Sequence, residues 1–193
     1  MTTIAVVKKN NQIAIAADTL TKWGSGKESA KYIHNSGKII QVGDNFIAVT
    51  GNATFKLILT EYFHETSDEI ALRSIEEIFS TWNKLHLKLK EKYFLIPEED
   101  KEDAIESSRM DVLIANPFGI FGVSGHRTVQ EFTRFYSYGS GSDYALGAMW
   151  SMYESSEISA EKIARKSIEA AAEFDDGTGL PVDSHEINSI KLN

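Results

Sequence analysis

The sequence predicts an α+β fold built on antiparallel sheets. Its apolar strand candidates come in pairs joined by short turns, whereas a parallel sheet would need a crossover helix between successive strands. The predicted order is strands, two helices, strands, two helices and a final strand, without an internal repeat. Strands grouped in this way are typical of layered α+β proteins and not of a Rossmann fold. We predict a single domain over residues 1–193.

Two hairpins are predicted in the N-terminal part of the chain. The first two apolar runs are nearly continuous rather than alternating, which indicates strands covered on both faces. Asn10 and Asn11 separate them, and such a pair favours a tight turn. The polar residues 19–36 are predicted to form a loop or short strands. The four predicted strands cover residues 3–9, 12–18, 38–42 and 45–49.

Helices are predicted from apolar spacing and from capping residues. The first begins near Gly51-Asn52-Ala53 and runs to about His64. A capping box over residues 66–69 predicts the start of a longer helix, whose apolar positions run from Ala71 to Leu89 at steps of three or four. Two more helices are predicted to have Ser142 and Ser159 as N-caps. His64 and His86 are interpreted as surface or interface residues.

The remaining segments are a connector and five strands. Residues 96–108 form a charged stretch that we interpret as a solvated connector. The predicted strands that follow cover residues 110–115, 119–124, 128–132, 134–138 and about 185–192.

Composition limits the class of protein and its partners. The net charge is -8, from 20 basic and 28 acidic residues, and no basic patch suits a nucleic acid. The absence of cysteine excludes disulfides and thiolate chemistry. No apolar run approaches the roughly 20 residues of a membrane span, and no secretory signal is recognisable. We therefore expect a cytoplasmic protein that binds neither nucleic acid nor membrane.

The N-terminus carries a candidate nucleophile. Thr2 is small, so the initiator Met1 could be trimmed to leave a threonine with a free α-amine. A hydroxyl is a weak nucleophile and needs a base within hydrogen-bond reach. An N-terminal threonine carries that base on its own backbone, with a pKa of about 7.7–8.0. Because Met-Thr also begins many cytosolic proteins that lack this chemistry, Thr2 alone decides nothing.

Five groups of residues add to this N-terminal signal. They are Thr2-Thr3-Ile4-Ala5-Val6, Ala16-Ala17-Asp18, Lys38, Gly51-Asn52-Ala53 and Tyr138-Gly139-Ser140-Gly141-Ser142-Asp143-Tyr144-Ala145. Their order and spacing resemble the proteasome β-subunit family of N-terminal nucleophile hydrolases over most of the chain. The short start is similar to bacterial HslV-type peptidases and bacterial proteasome homologues, whereas residues 175–179 are similar to the true proteasome pattern. The resemblance implies a four-layer αββα sandwich of two antiparallel sheets.

The resemblance also implies a catalytic mechanism. Thr2 would attack a peptide carbonyl, and Lys38 beside it would favour the alkoxide and lower the pKa of the amine. Asp18 would hold Lys38 in place and keep it charged. Gly51, at a helix start, would donate its backbone N–H to the oxyanion.

Further residues are assigned by the same resemblance. Three would position the terminal amine, and Thr178 stands where the family usually has serine; they are Ser140, Asp175 and Thr178. Three others would line the pocket for the substrate side chain before the scissile bond, and their small walls favour an apolar side chain; they are Thr21, Val49 and Ala53. The family further implies stacked homomeric rings acting on peptides or unfolded proteins, a possible AAA+ unfoldase, and no cofactor or metal.

Several alternatives stay open at this point. Asp18 suits an ordinary turn, Lys38 suits a strand surface, and Lys31 is the fallback cation because the Asp18–Lys38 interval exceeds the family norm. The Asp175-Asp176 loop suits a cation. No Gly-x-Ser-x-Gly elbow is present, which disfavours a Ser-His-Asp hydrolase. An amidohydrolase acting on a small amide and a catalytically silent ring scaffold remain alternative functions.

Overall fold

The computed structural model describes residues 2–66, 71–96 and 104–190. Within these ranges the chain forms two antiparallel sheets with a helix pair on the outer face of each. The strands are β1 (Thr3–Lys9), β2 (Gln12–Asp18), β3 (Thr21–Trp23), β4 (Gly26–Glu28), β5 (Ile39–Val42), β6 (Asn45–Val49), β7 (Val112–Asn116), β8 (Gly119–Val123), β9 (Val129–Phe132), β10 (Phe135–Gly139) and β11 (Val182–Asn188). The helices are α1 (Thr54–Glu65), α2 (Ile75–Glu91), α3 (Ser142–Met152) and α4 (Ala160–Phe174).

The two main sheets have different strand orders. One has the order β10-β1-β2-β11 and the other the order β5-β6-β7-β8-β9, while β3 and β4 form a separate two-stranded hairpin. All pairings are antiparallel among the described strands. With α1 and α2 on one sheet and α3 and α4 on the other, the predicted four-layer αββα fold is confirmed.

The first hairpin is covered on both faces, as the continuous apolar runs predict. One face of β1 and β2 packs against the opposite sheet and carries Ile4, Val6, Ile13, Ile15 and Ala17. The other face carries smaller residues under α3 and α4, namely Ala5, Val7, Ala14 and Ala16. All nine side chains are fully buried. Small residues on the helix side let α4 approach the backbone of the two central strands, where the candidate nucleophile begins.

The turn between β1 and β2 follows the prediction from its two asparagines. Asn10 has φ 52° and Asn11 has φ 63°, both in the left-handed region. A two-residue turn with both φ values positive matches the right-handed twist of a hairpin, and asparagine tolerates that conformation. The turn sets the register that pairs Ala5 with Ala16 and Ile4 with Ala17.

The start of the second helix differs from the prediction. α2 begins at Ile75, and the Ser74 hydroxyl accepts a hydrogen bond from the Glu77 backbone N–H at 3.3 Å. Thr66 ends α1 instead, since its N–H donates to the Tyr62 carbonyl at 3.1 Å. Residues 67–69 of the predicted capping box and residues 97–103 of the charged connector lie outside the described residues.

Three further predictions need correction. Ser142 is the first residue of α3 rather than its N-cap, which is Gly141 and has no side-chain capping bond. The final strand begins at Val182, because its pairing with β2 starts at Asp18. His86 is only 6% exposed and is a buried residue of α2, not a surface one. In the part of the chain that the structure describes, no helix is long and apolar enough to cross a membrane.

Candidate active site

Thr2 lies at the wall of a cavity of about 200 Å³ between the ends of the two sheets. It is 5% exposed and immediately precedes β1. The other lining residues come from the β3–β4 hairpin, the segment before β5, and the start of α1; they are Thr21, Lys22, Trp23, Asn35, Ser36, Gly37, Lys38, Val49, Gly51, Asn52, Ala53 and Lys56. A single cavity thus joins the candidate nucleophile to elements from distant parts of the chain.

The backbone of Thr2 is held by the end of β10. The Ser140 N–H donates to the Thr2 carbonyl at 3.0 Å. Gly139 has φ +109°, and a Cβ at this position would lie 1.8 Å from the Thr2 carbonyl oxygen. Only glycine permits so close an approach of the two backbones. This contact fixes where β1 begins and therefore where Thr2 meets the cavity.

Asp18 is the buried acceptor at the end of β2. Its side chain has no exposed surface and its Oδ1 accepts the Thr3 N–H at 3.0 Å and the Lys38 ammonium at 2.7 Å. Its Oδ2 accepts the N–H groups of Leu20 at 3.0 Å and Gly179 at 3.1 Å. A buried carboxylate needs such compensation because an unpaired charge is costly to remove from water. Asp18 therefore ties the start of β1, the residue before β5 and the loop before β11 together.

Lys38 is the cation at the cavity wall. Its side chain is 13% exposed, and among the described residues it forms a salt bridge with Asp18 alone. Burial lowers the pKa of Lys38, and the charge and hydrogen bond of Asp18 offset part of that effect. Lys31, the alternative cation, is exposed and does not line this cavity. Of the two lysines that the sequence left open, Lys38 is the one that the fold brings to Thr2.

Gly51 joins β6 to α1 at the cavity. It has φ +100°, and an added Cβ would lie 2.8 Å from the Arg109 carbonyl oxygen. Any side chain would therefore displace the backbone. The next residues, Asn52 and Ala53, lead into α1, whose first turn carries no acidic residue. The amino end of a helix carries partial positive charge, so this corner of the cavity suits developing negative charge.

A second carboxylate, Asp175, accepts hydrogen bonds from two hydroxyl groups. Its Oδ2 accepts from the Ser140 hydroxyl at 2.7 Å and from the Thr178 hydroxyl at 2.5 Å. The Thr178 hydroxyl lies 2.5 Å from that of Thr3, which also accepts the Gly141 N–H at 3.0 Å. Burial raises the pKa of Asp175, but the groups around it, with the hydrogen bonds from Thr178 and Ser140 as the largest of these opposing contributions, leave the pKa below its ordinary value.

The structure brings the three predicted pocket residues to one wall and adds others. Thr21, Val49 and Ala53 all line the cavity that contains Thr2. Sequence reasoning missed Lys56, which lines the same cavity from α1. Its spacing of three residues from Ala53 was the available signal, since residues three apart share a helix face. It also missed Thr3, whose contacts with Asp18 and Thr178 arise only from tertiary structure.

Metal binding has no support in the described ranges. Among residues 2–66, 71–96 and 104–190, no group of three or more His, Cys, Asp or Glu side chains could hold a metal ion. Asp176, which the sequence left open as a cation ligand, instead forms an ion pair with the Lys22 ammonium.

The fold and the site together define a class of protein. A threonine at the start of a central strand, beside a buried lysine–aspartate pair and inside a four-layer αββα sandwich, is the arrangement of the proteasome-like N-terminal nucleophile hydrolases. No family model matches the chain.

Three solved structures are similar over nearly the whole chain. Thiobacillus denitrificans BPH is 57% identical, with a TM-score of 0.94 over 98% of this chain and 99% of that one. The same protein in complex with epoxomicin is 57% identical, with a TM-score of 0.91 over 96% of this chain and 98% of that one. The HslV structure from Trypanosoma brucei has a TM-score of 0.72 over 96% of this chain and 99% of that one; at 18% identity it supports the fold alone.

A curated relative points the same way. The ATP-dependent protease subunit HslV of Caldanaerobacter subterraneus subsp. tengcongensis is 24% identical over 178 residues, which is 90% of each chain. The chain belongs to the HslV-type family of proteasome-like peptidases, with Thiobacillus denitrificans BPH as a relative. The predicted family and the predicted enzyme class, a threonine-type peptidase, are confirmed.

Proposed function

We propose that Thr2, once Met1 has been removed, is the nucleophile of an endopeptidase whose catalytic residues are those assembled around the cavity. The observation that carries the proposal is the shared cavity of Thr2, Lys38 and Gly51, with Lys38 held by the fully buried Asp18. These residues supply a hydroxyl, a fixed cation and a backbone donor, which are the parts that acyl transfer requires.

Acylation begins when the Thr2 hydroxyl oxygen bonds to the carbonyl carbon of the substrate. The hydroxyl proton passes to the α-amine of Thr2, through a water molecule, and the carbonyl oxygen becomes an oxyanion. When the tetrahedral intermediate collapses, the carbon–nitrogen bond breaks and the leaving amine takes the proton from the ammonium group. The products of this half-reaction are a Thr2 ester and the C-terminal part of the peptide.

Deacylation uses the same groups, with water as the nucleophile and the Thr2 oxygen as the leaving group. A water molecule attacks the ester carbonyl and gives its proton to the α-amine. Collapse of the second intermediate breaks the ester bond, returns the proton to the Thr2 oxygen and releases the N-terminal part of the peptide as a carboxylic acid. The enzyme is regenerated without a redox change or a cofactor.

Lys38 acts by its charge and position. A cation at the cavity wall favours the developing alkoxide of Thr2 and lowers the pKa of the nearby α-amine, which keeps that amine available as a base near neutral pH. Asp18 fixes the ammonium group through the 2.7 Å contact. Burial already lowers the pKa of Lys38, and the Asp18 carboxylate counteracts that loss of charge.

Gly51 supplies the oxyanion donor in this proposal. Its backbone N–H lies in the cavity-lining segment that precedes α1, and its positive φ orients that segment. One donor of this kind contributes about 10²–10³ in rate. Ser140, Asp175 and Thr178 position the threonines at the start of β1 through the hydroxyl network that ends at Thr3.

Assembly and partner follow from the relatives. The curated relative is named a subunit of an ATP-dependent protease. We propose that this chain forms stacked homomeric rings with Thr2 facing an inner chamber, cleaves peptides or unfolded proteins, and works with an ATP-driven unfoldase in the cytoplasm. Native mass spectrometry of the purified chain tests the ring, and a homogeneous monomer would overturn it.

The decisive experiment is intact mass before and after treatment with a peptide epoxyketone. This warhead needs both the threonine hydroxyl and its free amine, and Thiobacillus denitrificans BPH has been solved with epoxomicin. We expect loss of Met1 and one adduct per chain. Thr2→Ala removes the adduct and peptide cleavage, whereas Thr2→Ser, which keeps a hydroxyl, retains adduct formation.

Removal of Met1 without an adduct would contradict the proposed mechanism. A monomer that hydrolyses a small amide would then favour the amidohydrolase alternative, and an inert ring would favour the scaffold.

A further inference from the structure

The cavity around Thr2 is lined by cations and by no carboxylate. Lys22, Lys38 and Lys56 are among its lining residues, and no aspartate or glutamate of the described chain is. This contrasts with the whole protein, whose net charge is -8. A cavity of one charge sign within an acidic protein selects the charge of the group that enters it.

Two of the three lysines are paired with a carboxylate. The Lys38 ammonium contacts Asp18 at 2.7 Å, and the Lys22 ammonium contacts both carboxylate oxygens of Asp176. Neither of these two aspartates lines the cavity. The third lysine, Lys56, has no carboxylate partner among the described residues.

Lys56 has neutral partners only. Its ammonium donates to the backbone carbonyls of Asn35, at 3.3 Å, and Gly37. Among the described residues no carboxylate lies within salt-bridge distance of it. Burial lowers the pKa of Lys56 from its ordinary value, and the charge of Asp183 offsets part of that effect. Asp183 lies next to Gly37, because a Cβ added to Gly37 would be 3.0 Å from the Asp183 Oδ2 atom. An ammonium has three donors, so one remains for a ligand.

We propose that this cavity receives an acidic side chain, glutamate or aspartate, from the substrate residue that precedes the scissile bond, and that Lys56 selects it. The inference rests on the proposed function, because it places the attacked carbonyl next to Thr2. It replaces the apolar side chain that the small walls at Thr21, Val49 and Ala53 indicated from sequence.

The energetics favour this choice of ligand. A carboxylate that enters the cavity forms a charge-assisted hydrogen bond with Lys56, which is roughly twice as strong as a neutral one. An apolar side chain excludes water from Lys56 without giving it a new partner, and a basic side chain is repelled. The acid-free first turn of α1, from which Lys56 projects, adds to the preference for negative charge.

The test compares four fluorogenic peptides that differ only in the residue before the scissile bond, namely glutamate, glutamine, leucine and lysine. For the wild-type enzyme we expect kcat/KM to be about tenfold higher for glutamate than for glutamine, the scale of a hydrogen bond to a charged group. Glutamine has nearly the same shape as glutamate, so this ratio reports charge.

Variants of Lys56 test whether this residue determines the preference for glutamate. Lys56→Met keeps the length of the side chain and removes its charge, so the glutamate advantage is lost and leucine is cleaved better than in the wild type. Lys56→Glu reverses the preference towards lysine. Lys84→Met, on the exposed face of α2 and outside the cavity, is the matched control and keeps the wild-type ratio. Each ratio is measured within one variant, so partial loss of folding does not affect it.

Three results would overturn the proposal. If the wild-type enzyme cleaves the leucine or glutamine peptide with a kcat/KM equal to that for the glutamate peptide, the proposed acidic preference is refuted and the peptidase function stands. A glutamate preference that survives in Lys56→Met refutes the role of Lys56. Failure to cleave any of the four peptides, together with failure to form the epoxyketone adduct, overturns the proposed function and this inference with it.

Discussion

Two polar clusters in this molecule each join a carboxylate to a basic side chain, and they differ in use. The first, around Asp18, joins a carboxylate to Lys38 beside the Thr2 cavity. The second, around His86, places its Nδ1 at 2.9 Å from the Ser108 hydroxyl and its Nε2 at 3.3 Å from a Glu106 carboxylate oxygen. Serine, histidine and glutamate in contact are the components of a hydrolytic triad.

Access and charge distinguish the two clusters. Ser108 is 1% exposed and does not line the Thr2 cavity, and its hydroxyl is also 3.3 Å from an Arg127 guanidinium nitrogen. The Glu106 side chain is 45% exposed and shared with Lys90, whereas Asp18 is fully buried. Contact among triad residues is therefore insufficient for catalysis, because a substrate must also reach the nucleophile.

The His86 cluster supports the active site from a distance. It holds residues 106–111 against α2, and this segment carries the Arg109 carbonyl that abuts Gly51. The Asp111 carbonyl, in the same segment, accepts the Thr50 N–H at 2.9 Å. We therefore infer a structural role for the His86 cluster, in contrast to the catalytic role proposed above for the Asp18 cluster, and three predictions test that difference.

Asp18→Asn should produce the largest effect. It removes the carboxylate and leaves the Lys38 ammonium buried without a counter-charge, a change that costs about 3–5 kcal/mol in other proteins. We expect a lower urea midpoint at unchanged m-value and a loss of peptide cleavage.

A double variant separates the two contributions of this pair. Asp18→Asn with Lys38→Met removes both charges, so much of the lost stability should return while activity stays absent. Recovery of activity in the double variant would show that the pair is structural, as the His86 cluster is.

Ser108→Ala should have an intermediate effect confined to stability. Removing the hydroxyl leaves His86 Nδ1 without its partner in the interior, which costs about 1–3 kcal/mol. Peptide cleavage per folded chain should stay near the wild-type value, with Ser151→Ala on the exposed face of α3 as the matched control. An inactive but fully folded Ser108→Ala protein would mean that the triad-like cluster takes part in chemistry.

His86 should give the smallest effect, visible as a pH dependence of stability. Burial lowers the pKa of His86, helped by the charges of Arg127 and Lys90 and opposed by Glu106. The unfolded chain therefore binds the proton more readily, with a pKa of about 6.5. Stability is full above that value and falls as the pH drops through it towards the lower folded pKa, by no more than about 1.4 kcal/mol per pH unit for one group.

Urea unfolding at pH 7.5, 6.5 and 5.5 measures this slope, with His86→Gln as the comparison. The variant removes the titrating group, so its slope over this interval should be shallower. Equal slopes in the two proteins would assign the pH dependence to other groups.

Local sequence signals were sufficient for most of the fold. The paired apolar runs predicted β1 and β2 with their observed bounds, and the two asparagines predicted the turn between them. Ser159 caps α4 as predicted, with its hydroxyl accepting from the Lys162 N–H at 3.2 Å. These features depend on neighbouring residues, and so they can be read from short stretches of chain.

Other assignments depended on residues far apart in the chain. The capping signals at residues 66–69 and at Ser74 are equivalent locally, and in the described structure Ser74 is the N-cap of a helix that begins at Ile75. His86 was interpreted as a surface residue because its partners, Glu106 and Ser108, lie about 20 residues away, beyond a connector. Sequence spacing carries no information about which side chains meet across such a distance.

The sequence by itself determined the paired strands of the antiparallel fold, because periodicity and turn chemistry are local properties, and its resemblance to a known family indicated Thr2 as the candidate nucleophile. Only the tertiary structure decided that Lys38 and not Lys31 pairs with Asp18, and that Lys56 enters the same cavity without a carboxylate partner among the described residues. The reason is physical: a buried charge takes its properties from the groups within a few ångströms of it, and packing chooses those groups.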